Sequence, residues 1–388
     1  MIYMDNAATT RTKKEVVDEM LEYFSILYGN PSSIYEFAGK SREAIDKSRQ
    51  TIARTLGVEA NEIYFTSGGT ESDNWALRSI AKSYKDKGNH IITSRIEHHA
   101  ILRAAKNLED LGYRVSYIDV DENGRIKLKQ LLKEISKETI LISVMMANNE
   151  IGTIQPIKEI GMMARDRNII FHTDAVQAYG QINIDVRKLN IDMLSASAHK
   201  FNGPKGIGFL YINDKVKMTP LLFGGGQEKG IRAGTENVPS IVGMAKAADI
   251  AYSNISNKYR SERNIRDYFI NRILREIPYA RLNGDRINRL PGNINMAFQF
   301  VNATELLALL DVDEIYASGG SACSSSSKSP SHVLMALGLP EELAYSSVRF
   351  TISEDTTRDE VNYVVDRLKK HVYDLRKNST EYSLCFAK

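Results

Sequence analysis

The amino-acid sequence predicts an α/β protein with two domains. The large domain has a mostly parallel sheet covered by helices on both faces, and a smaller α/β domain follows. Strand-like apolar runs alternate with helical patterns from about residue 40 to residue 212. These runs are apolar along their whole length, which is typical of strands buried on both faces. The pattern changes after Gly224–Gly226, and 388 residues are enough for two domains.

The first part of the chain alternates between the two periods in a regular order. Right-handed crossovers are expected for such an order, and they place functional loops at the carboxyl ends of the strands. In chain order the predicted elements are helix "REAIDKSRQTIARTLG", strand "EIYFTS", helix "GTESDNWALRSIAKSY", strand "HIITS", helix "AILRAAKNLEDLG", strand "YRVSYIDV", helix "LKQLLKEIS", strand "TILISVMMA", helix "IKEIGMMARDRN", and strands "IIFHTDA", "MLSASAH" and "GIGFLYIN".

The second part begins with a long helical stretch that we interpret as a connector between domains. We place the boundary near residue 255, so that residues 10–255 form the large domain and residues 1–9 and 256–388 form the small one. The predicted elements are the connector "YRSERNIRDYFINRILREIP", strand "NINMAFQF", helix "TELLALLD", strand "SVRFTIS" and helix "DEVNYVVDRLKKHVYDLRK".

Composition excludes several classes of protein. The chain has 51 basic and 48 acidic residues, a balance that argues against binding to nucleic acid or to an anionic membrane. We see no apolar run of membrane-spanning length and no secretory leader in "MIYMDNAATTRTKKE". The two cysteines, Cys323 and Cys385, are far apart, which fits a reducing compartment better than a disulfide framework. We therefore expect a cytoplasmic protein, and no group of residues indicates a metal site.

A small-residue turn between a strand and a helix, "FTSGGTES", suggests a phosphate site. The backbone N–H groups of Gly69 and Thr70 would lie at the positive end of the helix dipole, where an anion binds well. The alternative is a plain N-cap. The stretch matches neither the Walker spacing nor the dinucleotide fingerprint, which disfavours a nicotinamide-dependent oxidoreductase.

Two charged residues follow other predicted strands. Asp174 ends "IIFHTD", and a buried carboxylate is costly unless a positive group meets it; the alternative is an N-cap for "AVQAYG". Lys200 follows Ser197 and His199 in "SASAHK", where a lysine held between a strand and a tight turn can act as an amine nucleophile. The alternative is a solvated surface lysine.

Further polar residues follow the remaining strands. His98 lies in "RIEHHAIL", with an ordinary exposed imidazole as the alternative, and Asn149 lies in "MANNEIG". Together these strand ends supply a phosphate cradle, a carboxylate, a lysine, a ring that can stack and an amide. Those groups can hold pyridoxal phosphate, with its pyridine nitrogen on Asp174 and its aldehyde on Lys200 as a Schiff base.

Cys323 lies in an unusual context for a cysteine. The stretch "SGGSACSSSSKSPSHV" surrounds it with glycines and with the four serines Ser324 to Ser327, so no core is expected there. This composition predicts a flexible loop that carries a lone thiol, and "SPSHVLMALG" predicts a capped helix after it. The alternative is a disordered surface loop with an incidental cysteine; we interpret Cys385 as incidental.

The order of motifs along the chain resembles that of the cysteine desulfurases, a branch of the class V aminotransferase family. The resemblance extends from Asp5 to the C-terminal helix, and it implies fold type I of the pyridoxal-phosphate enzymes. Its motifs are "YMDNAATT", "YGNPSS", "TSGGTESDN", "EHHAIL", "NNEIG", "HTDAVQ", "SAHKFNGPKGIG", "GGGQEKGIRAGTEN", "SGGSACSS" and "SSVRFTIS".

The resemblance implies a role for each matching residue. Pyridoxal phosphate would be carried by Lys200, with Asp174 on the pyridine nitrogen and Gln177 on the phenolic oxygen. His98 would stack on the ring and assist proton transfers. The remaining matches are Gly69, Thr70, Ser197 and His199 around the phosphate, Thr235 on the phosphate of the neighbouring subunit of a homodimer, Asn149 beside the cofactor and the substrate, Arg349 on the substrate carboxylate, and Cys323 as the catalytic thiol.

The implied reaction converts L-cysteine to alanine and leaves a persulfide on Cys323. A protein acceptor would then receive the sulfur for iron–sulfur cluster assembly or tRNA thiolation. Tyr35 and Ala38 depart from the family pattern, which has histidine and glycine there, and the chain ends soon after "DLRKNSTEYSLCFAK", so the usual contact with a scaffold protein is expected to differ. The alternatives are a transaminase or selenocysteine lyase on the same scaffold, and a non-catalytic binding paralogue.

Overall fold

A computed structural model describes residues 1–319, 329–379 and 382 of the chain. Thirteen strands are formed by these residues: β1 (Ile2–Tyr3), β2 (Ile63–Thr66), β3 (His90–Ser94), β4 (Arg114–Ile118), β5 (Thr139–Ser143), β6 (Ile170–Asp174), β7 (Met193–Ser197), β8 (Gly208–Ile212), β9 (Ala280–Leu282), β10 (Asn293–Phe298), β11 (Ile315–Tyr316), β12 (Ser318–Gly319) and β13 (Ser347–Thr351).

Twelve α-helices are formed by the same described ranges. They are α1 (Lys14–Ser25), α2 (Glu36–Leu56), α3 (Gly69–Ser83), α4 (His99–Asp110), α5 (Leu128–Glu134), α6 (Ile157–Arg165), α7 (Val238–Ser253), α8 (Ile255–Glu276), α9 (Ala303–Val312), α10 (His332–Ala336), α11 (Glu341–Tyr345) and α12 (Arg358–Lys377).

A seven-stranded sheet forms the centre of the larger part of the molecule. Its strand order is β2-β8-β7-β6-β5-β3-β4. All neighbouring pairs from β7 to β4 are parallel, whereas β8 runs antiparallel to both β2 and β7. The predicted mostly parallel sheet is therefore confirmed. Since β5, β6 and β7 are parallel neighbours, the residues that follow them meet at one edge of the sheet.

Helices cover both faces of this sheet. Since successive side chains of a strand point to opposite faces, neighbouring residues pack against different helices. Ile92, Ile142 and Leu194 pack with α2 and α7 in one apolar cluster. Ile91 and Leu141, each the residue next in sequence to one of those, pack with α3 and α4 in another. The central strands are thus buried on both sides, which explains why their sequences are continuously apolar.

The C-terminal part has its own sheet and apolar cluster. Its antiparallel sheet has the order β12-β13-β10-β9, and β1 pairs in parallel with β11, so the N-terminal residues join this part. The apolar cluster of this part includes Met4, which follows β1, together with Phe269 of α8, Phe350 of β13 and Leu368 of α12. In the described ranges of the chain, no helix combines the length and the apolar character needed to cross a membrane.

Candidate active site

A cavity of about 320 Å³ opens at the carboxyl edge of the large sheet. It collects ten of the twelve residues expected at the site, although their strands and loops are far apart in sequence. Those ten are Gly69, Thr70, His98, Asn149, Asp174, Gln177, Ser197, His199, Lys200 and Arg349. Cys323 lies outside the described residues. Thr235 is exposed and does not line the cavity that the described residues of its own chain form.

Lys200 is held at the end of β7 by a short 3₁₀ turn, residues 198–200. Its Nζ donates hydrogen bonds to the carbonyl oxygens of Ala7, at 2.5 Å, and Ala8, at 2.7 Å. The Ala7 oxygen also accepts a hydrogen bond from Nε2 of Gln177 at 3.0 Å. The N-terminal motif "DNAATT" therefore positions the amine, a contribution that no local pattern around Lys200 indicates.

Asp174 ends β6 and is 5% exposed. Its Oδ1 accepts a hydrogen bond from the backbone N–H of Val176 at 2.9 Å. The chain after it forms a turn, not the helix expected from the N-cap interpretation of "AVQAYG". Burial raises the pKa of Asp174 to about 6, and the Val176 N–H and the charge of Lys200 oppose that rise. The carboxylate is therefore placed to meet a positive group in the cavity.

The predicted phosphate site lies at the start of α3. Gly68 has φ of +151°, and α3 begins at Gly69. A Cβ on Gly69 would come within 2.5 Å of Cγ2 of Val176, so only glycine allows this close approach. The first N–H groups of a helix have no partner within it, and Gly69 and Thr70, which begin α3, line the cavity. Glu71, the acid in this first turn, is paired with Arg232 at 2.8 Å.

Two histidines beside the amine are neutral at pH 7. Nδ1 of His98 accepts a hydrogen bond from the N–H of Ala100 at 3.2 Å, so His98 caps α4 and Nε2 carries the proton. Burial, followed by the charge of Lys200, lowers the pKa of His98 to about 4. The same two causes lower the pKa of His199 to about 4. A neutral ring is suited to stacking and to proton transfer.

Arg349 brings a cation from β13 into the cavity and is 1% exposed. Its Nη2 donates to Oδ1 of Asp5 at 2.7 Å, and its Nη1 donates to the carbonyl oxygen of Asn149 at 3.1 Å. Its Nε is buried and has no hydrogen-bond partner among the described residues. An orphaned donor of this kind is costly unless a ligand completes it, and a carboxylate is the matching ligand.

These residues fit pyridoxal phosphate. The start of α3 provides an anion site without a side chain in the way. Asp174 provides a buried acid for a protonated ring nitrogen, and the amine of Lys200 lines the same cavity. The donor set therefore matches the phosphate, the ring nitrogen and the aldehyde of that cofactor.

Sequence reasoning missed four polar residues that line the cavity: Asp73, His99, Glu150 and His332. Asp73 is buried on α3, and its Oδ1 has no hydrogen-bond partner among the described residues. Burial, together with the charge of Asp174, raises its pKa well above the ordinary value. Asp73 follows Gly69 by four residues and so shares its helix face, which is the signal that could have identified it.

Comparisons with known proteins agree with this geometry. The family model described as aminotransferase class-V matches residues 2–364. Cysteine desulfurase IscS of Clostridium botulinum is 50% identical over 380 residues, covering 97% of this chain and 96% of that protein. The protein of the same name from Methanosarcina thermophila is 52% identical over 378 residues, covering 97% and 93%. A solved NifS-like protein superposes with a TM-score of 0.90 at 36% identity, covering 96% of this chain and 99% of its own.

Proposed function

This chain belongs to the aminotransferase class-V family and to its cysteine desulfurases, and we propose that Lys200, Asp174 and Arg349 are the residues with which it moves the sulfur of L-cysteine onto Cys323. It is a pyridoxal-phosphate-dependent enzyme that converts L-cysteine to alanine. The observation that carries the proposal is the cavity itself. It brings an amine, a buried carboxylate and an arginine whose Nε has no hydrogen-bond partner among the described residues into one site of about 320 Å³.

Each residue around the cofactor has a role suited to its position. Bound pyridoxal phosphate supplies an electron-accepting ring next to the substrate's Cα. Lys200 would hold the aldehyde, Asp174 the ring nitrogen and Gln177 the phenolic oxygen, with His98 against the ring. The phosphate would be held by Gly69, Thr70, Ser197 and His199, which line the same cavity.

Four residues would bind the substrate and transfer protons. Arg349 would bind the carboxylate of L-cysteine through its Nε and an Nη, the paired geometry that carboxylates prefer. Asn149 lies beside it and would contact both substrate and cofactor. Lys200 would remove the proton from Cα, and the neutral imidazole of His98 would assist, because both line the cavity.

Sulfur transfer would use the thiolate of Cys323. The thiolate attacks the substrate sulfur, an S–S bond forms and the C–S bond breaks. The electron pair of that bond goes to the departing carbon, which takes up a proton and leaves as alanine. A persulfide remains on Cys323. Thiolates are the reactive form of cysteine, and they react fastest where they are accessible.

We also propose a homodimer in which Thr235 reaches the phosphate of the neighbouring subunit. Thr235 is exposed and does not line the cavity that the described residues of its own chain form. Large apolar side chains are exposed on α1 and on the segment after it, and exposed apolar patches mark interaction surfaces. They are Leu21 at 57%, Phe24 at 62%, Ile26 at 66%, Tyr28 at 69% and Ile34 at 99%.

The remaining parts of the proposal concern the acceptor, the compartment and the domains. We propose that a protein acceptor takes the sulfur for iron–sulfur assembly or tRNA thiolation, and that the enzyme acts in the cytoplasm, where two unlinked cysteines stay reduced. Residues 10–255 and residues 1–9 with 256–388 would be the two domains. Separate apolar clusters support this division, with Phe171 in one and Phe350 in the other.

The test is alanine release from L-cysteine by the cofactor-loaded enzyme in the presence of a thiol reductant. Cys323→Ala should release no alanine, while Cys385→Ala, a control on the other cysteine, should match the parent. Equal alanine from Cys323→Ala and the parent would overturn Cys323 as the sulfur carrier and would favour a transaminase-like or lyase route.

A further inference from the structure

Asp5 contacts both Arg349, the proposed ligand of the substrate carboxylate, and Ser318 of β12, the strand that precedes Cys323. Its Oδ1 accepts a hydrogen bond from Nη2 of Arg349 at 2.7 Å. Its Oδ2 accepts a hydrogen bond from Oγ of Ser318 at 2.6 Å. Ser318 and Arg349 are also directly opposite each other in the β12–β13 pair. One carboxylate therefore joins two residues that the sheet already places side by side.

Glu150 makes a connection to the serine that follows Cys323 in sequence. Its Oε2 accepts a hydrogen bond from Oγ of Ser331, the N-cap of α10. Glu150 is 2% exposed, and its pKa is raised to about 7 by burial, with Ser331 and the charge of Arg349 opposing the rise. The preceding residue, Asn149, accepts the second hydrogen bond from Arg349 through its carbonyl oxygen.

The two serines flank Cys323 in sequence. Ser318 precedes it by five residues and Ser331 follows it by eight. Where the two flanking serines lie relative to Arg349 therefore limits where the thiol can lie relative to a substrate bound there.

We propose that Asp5 and Glu150 are positioning residues for sulfur transfer, holding the flanking serines Ser318 and Ser331 at set places around Arg349. This inference rests on the proposed roles of Arg349 and Cys323. Neither carboxylate reacts. Asp5 holds Ser318 beside Arg349. Glu150 holds Ser331, and its neighbour in sequence, Asn149, accepts a hydrogen bond from Arg349. The positions of the thiol and of the substrate carboxylate would therefore both depend on Arg349.

The experiment measures two quantities on the holoenzyme. The affinity for L-cysteine is measured by titrating the cofactor absorbance, and the rate of persulfide formation on Cys323 is measured by rapid quench and mass spectrometry in a single turnover. Ser318→Ala removes one connection without touching Arg349. Ser331→Gly removes the other while keeping a residue that caps helices almost as well as serine. Ser346→Ala is the matched control, a buried serine whose Oγ donates only to the Leu343 carbonyl oxygen.

We expect Ser318→Ala and Ser331→Gly each to slow persulfide formation about 10-fold while the affinity for L-cysteine stays within about twofold, because only the approach of the thiol is changed. Asp5→Asn should weaken L-cysteine binding as well, since it contacts Arg349. The double variant Asp5→Asn/Ser318→Ala should be no slower than Asp5→Asn alone, the non-additivity expected of two partners in one contact. Ser346→Ala should match the parent in both quantities.

Parental transfer rates in both Ser318→Ala and Ser331→Gly would overturn the positioning role. So would equal slowing by Ser346→Ala, or additive effects in the double variant. Failure of the underlying function has a different signature: persulfide would be absent from Cys323 in the parent, or Arg349→Lys would bind L-cysteine as tightly as the parent does.

Discussion

Asp174 and Lys200 show how single residues acquire their chemistry from distant parts of the chain. The ordinary pKa of an aspartate side chain is 3.8, and burial at the end of β6 raises that of Asp174 to about 6. Lys200 lies in the 3₁₀ turn that follows β7, and its amine donates to the carbonyl oxygens of Ala7 and Ala8. The residue types could be identified from sequence, whereas these contacts depend on how the N-terminal segment crosses the sheet.

The raised pKa of Asp174 leads to a prediction about pH. The folded-state pKa of about 6 lies above the ordinary value of 3.8, so the carboxylate is ionised at pH 7 and gains its proton as pH falls through 6. The proposed contact with a protonated ring nitrogen needs the ionised form. We therefore expect kcat/KM for alanine release to fall as pH drops below about 6. Asp174→Asn should lower kcat/KM about 100-fold at pH 7, an effect typical of a lost electrostatic contact in an active site.

A pH-rate profile of the parent beside Asp174→Asn checks this. Asp192→Asn is a suitable control, because Asp192 is also an acid beside a strand but lies outside the cavity lining. A profile in which Asp174→Asn matches the parent at every pH would contradict the role given to Asp174.

At the scale of elements, Glu97 connects the ends of two strands. Its carboxyl group accepts hydrogen bonds from Oγ of Ser94, at 2.5 Å, and from the N–H of Met145, at 2.9 and 3.0 Å. Ser94 ends β3 and Met145 follows β5. Burial raises the pKa of Glu97 to about 8, so the group is mostly protonated at neutral pH. The connection therefore works through a neutral carboxyl group, which an amide can imitate.

This gives a prediction about stability. A carboxyl group whose pKa is raised from 4.5 to about 8 binds its proton more tightly in the folded state. Its contribution to stability is therefore full below pH 4.5 and declines as pH rises to about 8, by at most about 1.4 kcal/mol per pH unit. Glu97→Gln should keep the fold and show a smaller loss of stability between pH 6 and 8.

Urea unfolding of the holoenzyme at several pH values measures the effect. Glu122→Gln, a change at an exposed acid, should retain the parent's pH dependence. An unfolding midpoint that varies with pH equally in Glu97→Gln and in the parent would show that Glu97 does not take up a proton on folding.

Most elements could be predicted from sequence, and the exceptions have physical reasons. The alternation of helices and strands from α2 to β8 is confirmed, because the helices show the helical period and the strands are short apolar runs between them. Helix α7 was not predicted, since its buried residues surround the helix and leave no one-sided stripe; the consecutive residues Val242, Gly243, Met244 and Ala245 are all buried. The antiparallel direction of β8 was not predicted either, because a strand's direction depends on the connections around it and not on its composition.

At the scale of the whole molecule, the site is assembled from segments that only the fold brings together. Ten expected residues line one cavity. Nine of them lie at or after the ends of strands in the large sheet, whereas Arg349 lies within β13 of the other sheet. The additional lining residues His99, Glu150 and His332 could not be identified from local patterns. Ser331 caps α10 as expected, but its contact with Glu150 joins residues 181 positions apart.

The proposed homodimer makes a prediction at this scale. Leu21→Glu combined with Phe24→Glu places two charges among exposed apolar side chains on α1, so it should disfavour association and reduce alanine release, since Thr235 would lose its neighbour's site. Sedimentation velocity measures the subunit state. Val312→Glu, at a residue 81% exposed elsewhere, is the control and should leave both properties unchanged. A parent that sediments as a monomer while fully active would contradict the proposal.

The central claim is that the sulfur of L-cysteine passes to Cys323 in a site built around Lys200. The most direct measurement is mass spectrometry of the holoenzyme after one turnover with L-cysteine, quenched with an alkylating reagent that preserves persulfides. The account predicts one added sulfur atom on the peptide that contains Cys323, none on the peptide that contains Cys385, and one alanine per added sulfur. Alanine formed without added sulfur on Cys323, or sulfur found on Cys385 instead, would contradict it.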